Sequence, residues 1–350
     1  LWAALKLLWV LMGTLTAWFV YRSVCIFAPQ WCGVAAMLCL FRADFVWMDN
    51  LLLTETPFLL ALTAAAYYTF MMAKAPGWRY FWCCAAAYMF GLMFKANIAP
   101  YPLLALLYLL LMRYDHKLLL RQCGALAGVV LCFVIPWSVR NYMHFHAFVP
   151  LTYGVGNPTL LGTYQGVGYP ADEGLDYETN VEAVAKEKYA AYYDEKGQVM
   201  PEYERFVNLG KDGIKARYRQ QVWWGKGPQS MLASYLAIKP WSMVNSIFYW
   251  EDLLGQGRAV VSWLQHLNLA LCLLTVLASV LLKKNRKQVL FLGSTYLANI
   301  YIYAMTFAFD RYNASLMGLR FILAGIGLGL LAQLARRAVQ ALRAFHMGKL

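Results

Sequence analysis

Charge is scarce in this chain. Of its 350 residues only 14% are Asp, Glu, Lys or Arg, 61% are hydrophobic, and the mean hydropathy is +0.46. That balance excludes a soluble globular fold and points to an integral membrane protein, because apolar runs near the ~20 residues that cross a bilayer recur from one end to the other. Cysteine is missing from the polar stretch 141–240, since all eight (25, 32, 39, 83, 84, 123, 132 and 272) fall in apolar segments, so no disulfide framework is implied. There is no phosphate-binding loop ending in Gly-Lys-Ser/Thr, no dinucleotide fingerprint, no His-Glu-x-x-His and no Gly-x-Ser-x-Gly. ATP hydrolysis and zinc proteolysis lack their residues. Asn157-Pro158-Thr159 is not a glycosylation acceptor, because Pro holds its middle position. Leu1 already lies in an apolar run, with neither the basic start nor the cleavage site of a signal peptide, and the expectation is that further sequence precedes it.

The apolar runs themselves predict an all-α polytopic bundle of about nine to eleven transmembrane helices with one large polar insertion. Spans are expected near 1–21, 24–43, 51–73, 80–96, 97–112, 120–139, 260–282, 288–308 and 315–335, with 241–253 as a further partial one. Three regions follow: a transmembrane array over 1–140, an extracytoplasmic segment with interfacial helices over 141–240, and a second array over 241–350. No internal repeat is visible.

The net charge of +13 would suit nucleic acid, but its distribution does not. Arg22, Lys74, Arg79, Arg113, Lys117, Arg121, Lys283, Lys284, Arg286, Lys287, Arg336, Arg337, Arg343 and Lys349 cluster in alternate connections with a single acid, Asp115. This positive-inside pattern places those loops in the cytoplasm. The stretch 141–240 carries ten basic and eleven acidic residues and so lies outside, with the 44–55 stretch, Lys95, Arg140 and Arg311. The active face is thus expected to be extracytoplasmic, in a plasma or inner membrane.

Candidate ligand sets are thin. Cys25, Cys32 and Cys39 are seven apart and could share a helix face, but they read as small packing residues, and His144-Phe145-His146 reads as surface polarity. No cofactor is indicated, and no cluster asks for a divalent metal. Ionisable groups at membrane depth are a different matter, because each is costly to bury. The run 48–58 is expected to open a helix, with Asp49 serving its N-terminus and Glu55 one turn inside, where a carboxylate needs a partner. Lys95 falls where two short apolar segments meet, just before Pro100 and Pro102. Arg140 stands at an interface between Trp137 and Tyr142, either as an anchor or as a grip on a lipid-borne phosphate. Asp310-Arg311-Tyr312 opens the last helix. Glu55, Lys95, Arg140 and Arg311 come from distant parts of the chain, yet all four are assigned to the outer leaflet.

Asn50-Leu-Leu-Leu-Thr-Glu-Thr-Pro-Phe58, Gly91-Leu-Met-Phe-Lys95, Pro136-Trp-Ser-Val-Arg-Asn-Tyr142, Phe148-Val-Pro-Leu-Thr152 and Arg311-Tyr312 occur in this order. In that, the chain resembles the GT-C membrane glycosyltransferases, most nearly bacterial family 39-like proteins related to protein O-mannosyltransferases and to the lipid A aminoarabinose transferase. The resemblance implies inverting transfer of a sugar from a polyprenyl-phosphate donor to an acceptor hydroxyl on a glycan, lipid or protein at the outer face. Lys95, Arg140, Asn141, Arg311 and Tyr312 would bind substrate, and Glu55 would support catalysis by orienting sugar or acceptor. In these families the catalytic acid lies in the first external loop, which is expected upstream of Leu1. Asp44 and Asp49 sit one hairpin too late, and Asn313-Ala314-Ser315-Leu316 replaces the Pro that often follows Arg-Tyr. Two other classes stay open: a silent GT-C-like scaffold, and a lipid or sugar transporter, although the single insertion lacks a carrier's two-fold repetition.

Overall fold

The computed structural model describes residues 2–347, so Lys349 of the expected inner set lies outside the described residues. Among the described residues the secondary structure is helical apart from isolated bridges. The helices are α1 (Trp2–Cys25), α2 (Gln30–Leu38), α3 (Ala43–Asn50), α4 (Glu55–Lys74), α5 (Trp78–Phe94), α6 (Tyr101–Leu111), α7 (His116–Phe145) and α8 (Gly156–Gly162). They continue as α9 (Ala183–Lys188), α10 (Glu204–Lys226), α11 (Pro228–Ala233), α12 (Lys239–Asn245), α13 (Arg258–Leu282), α14 (Arg286–Met305), α15 (Asp310–Ala314) and α16 (Met317–Met347).

Every expected span has a helix, and the chain is an all-α polytopic membrane protein. Five helices, α1, α4, α7, α13 and α16, are long and apolar enough to cross a bilayer, and six spans result if the bent pair α2–α3 counts as one. The remaining expected spans are shorter or more polar. α5 has 17 residues, α6 has 11, and α14 opens on Arg286-Lys287. Where the run 24–43 reads as one span, a new helix begins after Pro29, and at Arg42 an extended backbone bends the path by 54° between α2 and α3. Cys25, Cys32 and Cys39 therefore do not share one helix.

Two compact units result. The first comprises Leu1–Gly124, Asn245–Asn299 and Asp310–Leu350, the second Ala125–Val244 and Ile300–Phe309. The boundary at Gly124–Ala125 falls inside α7, which also runs unbroken through residue 140. Pro136 lies inside that helix, where it removes one backbone donor.

In the first unit α4 is the hub, touched by α1, α5 and α16. Its Ala61, Thr63, Ala64, Ala65 and Ala66 are all buried, and such small side chains let helix backbones approach closely. On α16, a Cβ at Gly318 would come within 2.1 Å of the Thr63 hydroxyl, so a larger residue there would force Thr63 to move. Phe70, Tyr108 and Phe291 form an aromatic knot, with the last two rings stacked at 4.7 Å. The unit also buries two guanidinium groups, those of Arg42 and Arg320. Arg42 holds Asp44 through two hydrogen bonds of 3.0 and 2.6 Å, and Arg320 donates to Asn268 Oδ1, Tyr296 Oη and the Gln265 carbonyl.

The second unit is built on α10, whose Phe206 and Val207 pack with Val149, Ala185, Tyr189 and Tyr192. Arg219, wholly buried on the same helix, ties the loop 163–177 to it. Its Nε donates to Thr163 Oγ1 at 2.8 Å, Nη2 to the Pro170 carbonyl at 2.7 Å, and Nη1 to Tyr177 Oη at 3.0 Å and to Asp172, while the guanidinium lies over the Tyr164 ring. The Tyr177 hydroxyl and the Arg219 charge hold the Asp172 carboxyl below its ordinary value. Lys239 is also buried; its Nζ donates to the Gly162 carbonyl at 2.5 Å and sits 3.7 Å from the Tyr235 ring centre. Burial pushes that ammonium down to about 7.

Candidate functional site

Glu55 is the first residue of α4 and is completely buried. The helix does not begin near Met48 as expected, because Leu52 adopts a left-handed backbone (φ 54°) and separates α3 from α4. Asp49 consequently sits in the last turn of α3 and does not serve a helix N-terminus. Its Oδ1 instead accepts the Thr56 hydroxyl at 2.7 Å, and its Oδ2 lies against Gly13, where an added Cβ would come within 2.1 Å. Pro57 is tolerated in the first turn of α4, where its missing N–H has no helical partner to lose.

Lys95 caps α5 with an extended backbone (φ −148°, ψ 123°), and the chain then turns through Ala96–Ile98 into α6. That bend aims the lysine back across α4. Lys95 Nζ donates to Glu55 Oε1 at 2.7 Å and sits 5.8 Å from the Phe58 ring centre and 5.0 Å from that of Tyr312. Arg311 and Tyr312 belong to α15, a short helix of its own rather than the start of α16. Arg311 Nε lies 3.4 Å from the same Glu55 oxygen, with its guanidinium over the Tyr312 ring. The seat of α15 is fixed by Asn313, which accepts the Tyr296 hydroxyl at 2.8 Å and donates to the Ser246 carbonyl at 3.2 Å. Ser246 in turn donates to the carbonyl of Asp310.

The first unit therefore brings together four of the six site residues expected from sequence: Glu55, Lys95, Arg311 and Tyr312. One carboxylate thus holds two cations side by side. Glu55 Oε2 is buried and has no hydrogen-bond partner among the described residues, which leaves one acceptor for a ligand hydroxyl. Arg320 and Arg42 were missed, and both carried a visible signal, a guanidinium within or beside an apolar run.

Arg140 and Asn141 lie in the second unit. Arg140 is exposed, donates to Asn141 Oδ1 at 3.1 Å and stacks over Trp137, its centre 5.1 Å from that ring. Asn141 is buried and its amide donates to the Val149 carbonyl at 2.8 Å, while Trp137 Nε1 reaches the Leu151 carbonyl at 2.9 Å. The Pro-Trp-x-x-Arg-Asn-Tyr run thus clasps the returning Phe-Val-Pro loop, and Asn141 orients Arg140.

No curated protein and no solved structure matches the chain. A family match exists for its N-terminal part, where it takes in Glu55 and Lys95 and stops just short of Arg140. Residues 2–139 match the dolichyl-phosphate-mannose-protein mannosyltransferase family, a GT-C type of membrane glycosyltransferase.

Proposed function

We propose that this protein transfers a sugar from a polyprenyl-phosphate carrier to an acceptor hydroxyl, with inversion, at the extracytoplasmic face of the plasma or inner membrane. The observation that carries this reading is the buried Glu55 carboxylate held between Lys95 and Arg311 in a membrane-spanning unit. The family match over 2–139 supports transferase chemistry, and the gathering of basic residues in alternate connections supports the orientation.

In the reaction the acceptor oxygen forms a bond to the anomeric carbon as the bond from that carbon to the phosphate oxygen breaks. The acceptor proton passes to a carboxylate base. The departing lipid phosphate gains negative charge, which Lys95 and Arg311 stabilise at fixed positions. Glu55 Oε1 keeps the two cations in register, and Oε2 accepts a hydroxyl of the sugar or acceptor. Asp44 is engaged by Arg42 and Asp49 by the Thr56 hydroxyl.

The test is transfer from a polyprenyl-phosphate-linked sugar by the purified protein in lipid nanodiscs. Lys95→Met and Arg311→Gln should each lower kcat/KM on the order of a hundredfold, the loss typical of one transition-state contact. Wild-type turnover in both variants would refute the assignment.

A further inference from the structure

A cavity of about 330 Å³ opens in the second unit between the loop 152–156 and helices α9 and α10. Small-molecule sites begin near this size, at roughly 300 Å³. Part of its wall is bare backbone. Gly154 has φ +147°, a conformation other residues rarely adopt, and a Cβ on Gly156 would come within 2.5 Å of the Gly213 nitrogen. Glycine at both places presses the loop flat against α10 and keeps side chains out of the space.

Tyr153 and Tyr189, both lining the cavity, join their hydroxyls at 2.6 Å. That pair has two protons and spends one internally, which leaves one O–H for a ligand. Gln220 donates its amide to Tyr235 Oη at 3.3 Å, and its carbonyl oxygen remains as an acceptor. Two cations, Lys188 and Arg217, complete the lining, and no Asp or Glu is part of it. Among the described residues the ion pairs of this unit are made by other residues: Lys211 with Glu182 and Arg219 with Asp172. Two residues from Arg217, Arg219 spends its guanidinium within the protein, whereas Arg217 is exposed beside the cavity.

Aromatic edges, hydroxyls and two unneutralised cations around a space of this size are the chemistry that recognises a sugar bearing a negative charge. Ring C–H groups pack on tyrosine, hydroxyls pair with Tyr and Gln, and a carboxylate meets the planar guanidinium. We propose that this cavity binds an anionic sugar residue of the acceptor. The proposal rests on the transferase reading for the word acceptor, but binding in the cavity makes no use of Glu55 or Lys95.

The experiment is equilibrium binding to the full chain in phosphatidylcholine nanodiscs, with trigalacturonate as the acidic probe and maltotriose as the neutral one. Trigalacturonate should bind at least an order of magnitude more tightly. Arg217→Gln and Lys188→Gln should each weaken it on the order of tenfold, the loss of one charge-assisted contact, without changing the unfolding temperature. Glu55→Gln should bind as wild type does, so a wild-type protein that binds trigalacturonate yet transfers no sugar would sink the transferase reading and leave the cavity assignment standing. Equal affinity for maltotriose, indifference to both substitutions, or no binding of either probe would overturn the proposal. So would displacement of trigalacturonate by inorganic phosphate or phosphatidylglycerol vesicles at matching anion concentration, since that would mark a site for charge alone.

Discussion

Lys95 and Glu55 stand forty positions apart in sequence and meet at the ends of two helices, with Nζ and Oε1 2.7 Å apart and the carboxylate fully enclosed. An enclosed pair of this kind contributes little net stability, yet removing Lys95 leaves the buried carboxylate to Arg311 alone, 3.4 Å away. Lys95→Met should therefore cost about 3 kcal/mol, and the double variant Glu55→Gln/Lys95→Met should recover much of that loss. A thermal-unfolding cycle on the four proteins in detergent measures the coupling, and additive single losses would show that the two groups act independently.

Arg140 makes a separate prediction. Lysine keeps its charge but cannot reproduce the planar fork that lies over Trp137 and donates to Asn141. If the guanidinium grips the lipid phosphate, Arg140→Lys should lower turnover on the order of a hundredfold and Arg140→Ala should lower it further, with membrane insertion unchanged. Near-normal transfer by the lysine variant would make Arg140 an interfacial anchor, since lysine also snorkels.

Gly162→Ala tests the packing of the second unit. An added Cβ would fall 1.6 Å from the Thr306 carbonyl oxygen, and a backbone atom has no rotamer with which to yield. The expected cost is about 3 kcal/mol or more, read as faster proteolysis of the 150–180 stretch. Unchanged protease resistance would contradict the close approach.

Lys239 predicts a pH dependence. Its folded ammonium titrates at about 7, below the ~10.4 of an unfolded lysine. Between those values the unfolded chain binds more protons, so stability rises with pH across that window, and the full penalty is present below it. Hydrogen exchange around Gly162 and Tyr235 should slow as pH rises through 7 once corrected for intrinsic rates, and Lys239→Met should abolish the trend. A flat corrected profile in the wild-type protein would mean that the lysine is hydrated.

Much of this was written in the residues themselves. Helices stand where apolar runs are dense, since a bilayer leaves the backbone no other way to satisfy itself, and Glu55, Lys95 and Arg311 drew notice as charges in apolar surroundings. The breaks were harder to read. Leu52 takes a left-handed backbone and Arg42 an extended one without being Gly or Pro, so the end of α3 and the bend before it carried no such signal. The Arg219 clasp was hidden for another reason: in an amphipathic helix with many charges, nothing local separates the one arginine that turns inward from its solvated neighbours.

The membrane-length helices are unequally enclosed by protein. In the central stretch of α4, 83% of residues are enclosed by protein, against 11% in α7. A bilayer that thins or thickens exerts its force on helices it touches, by tilting or stretching them. α7 will register such a change directly, whereas Glu55 rides on a helix that its neighbours shield from it. The carboxylate that gathers Lys95 and Arg311 is in this sense insulated from the mechanical state of the membrane in which it works.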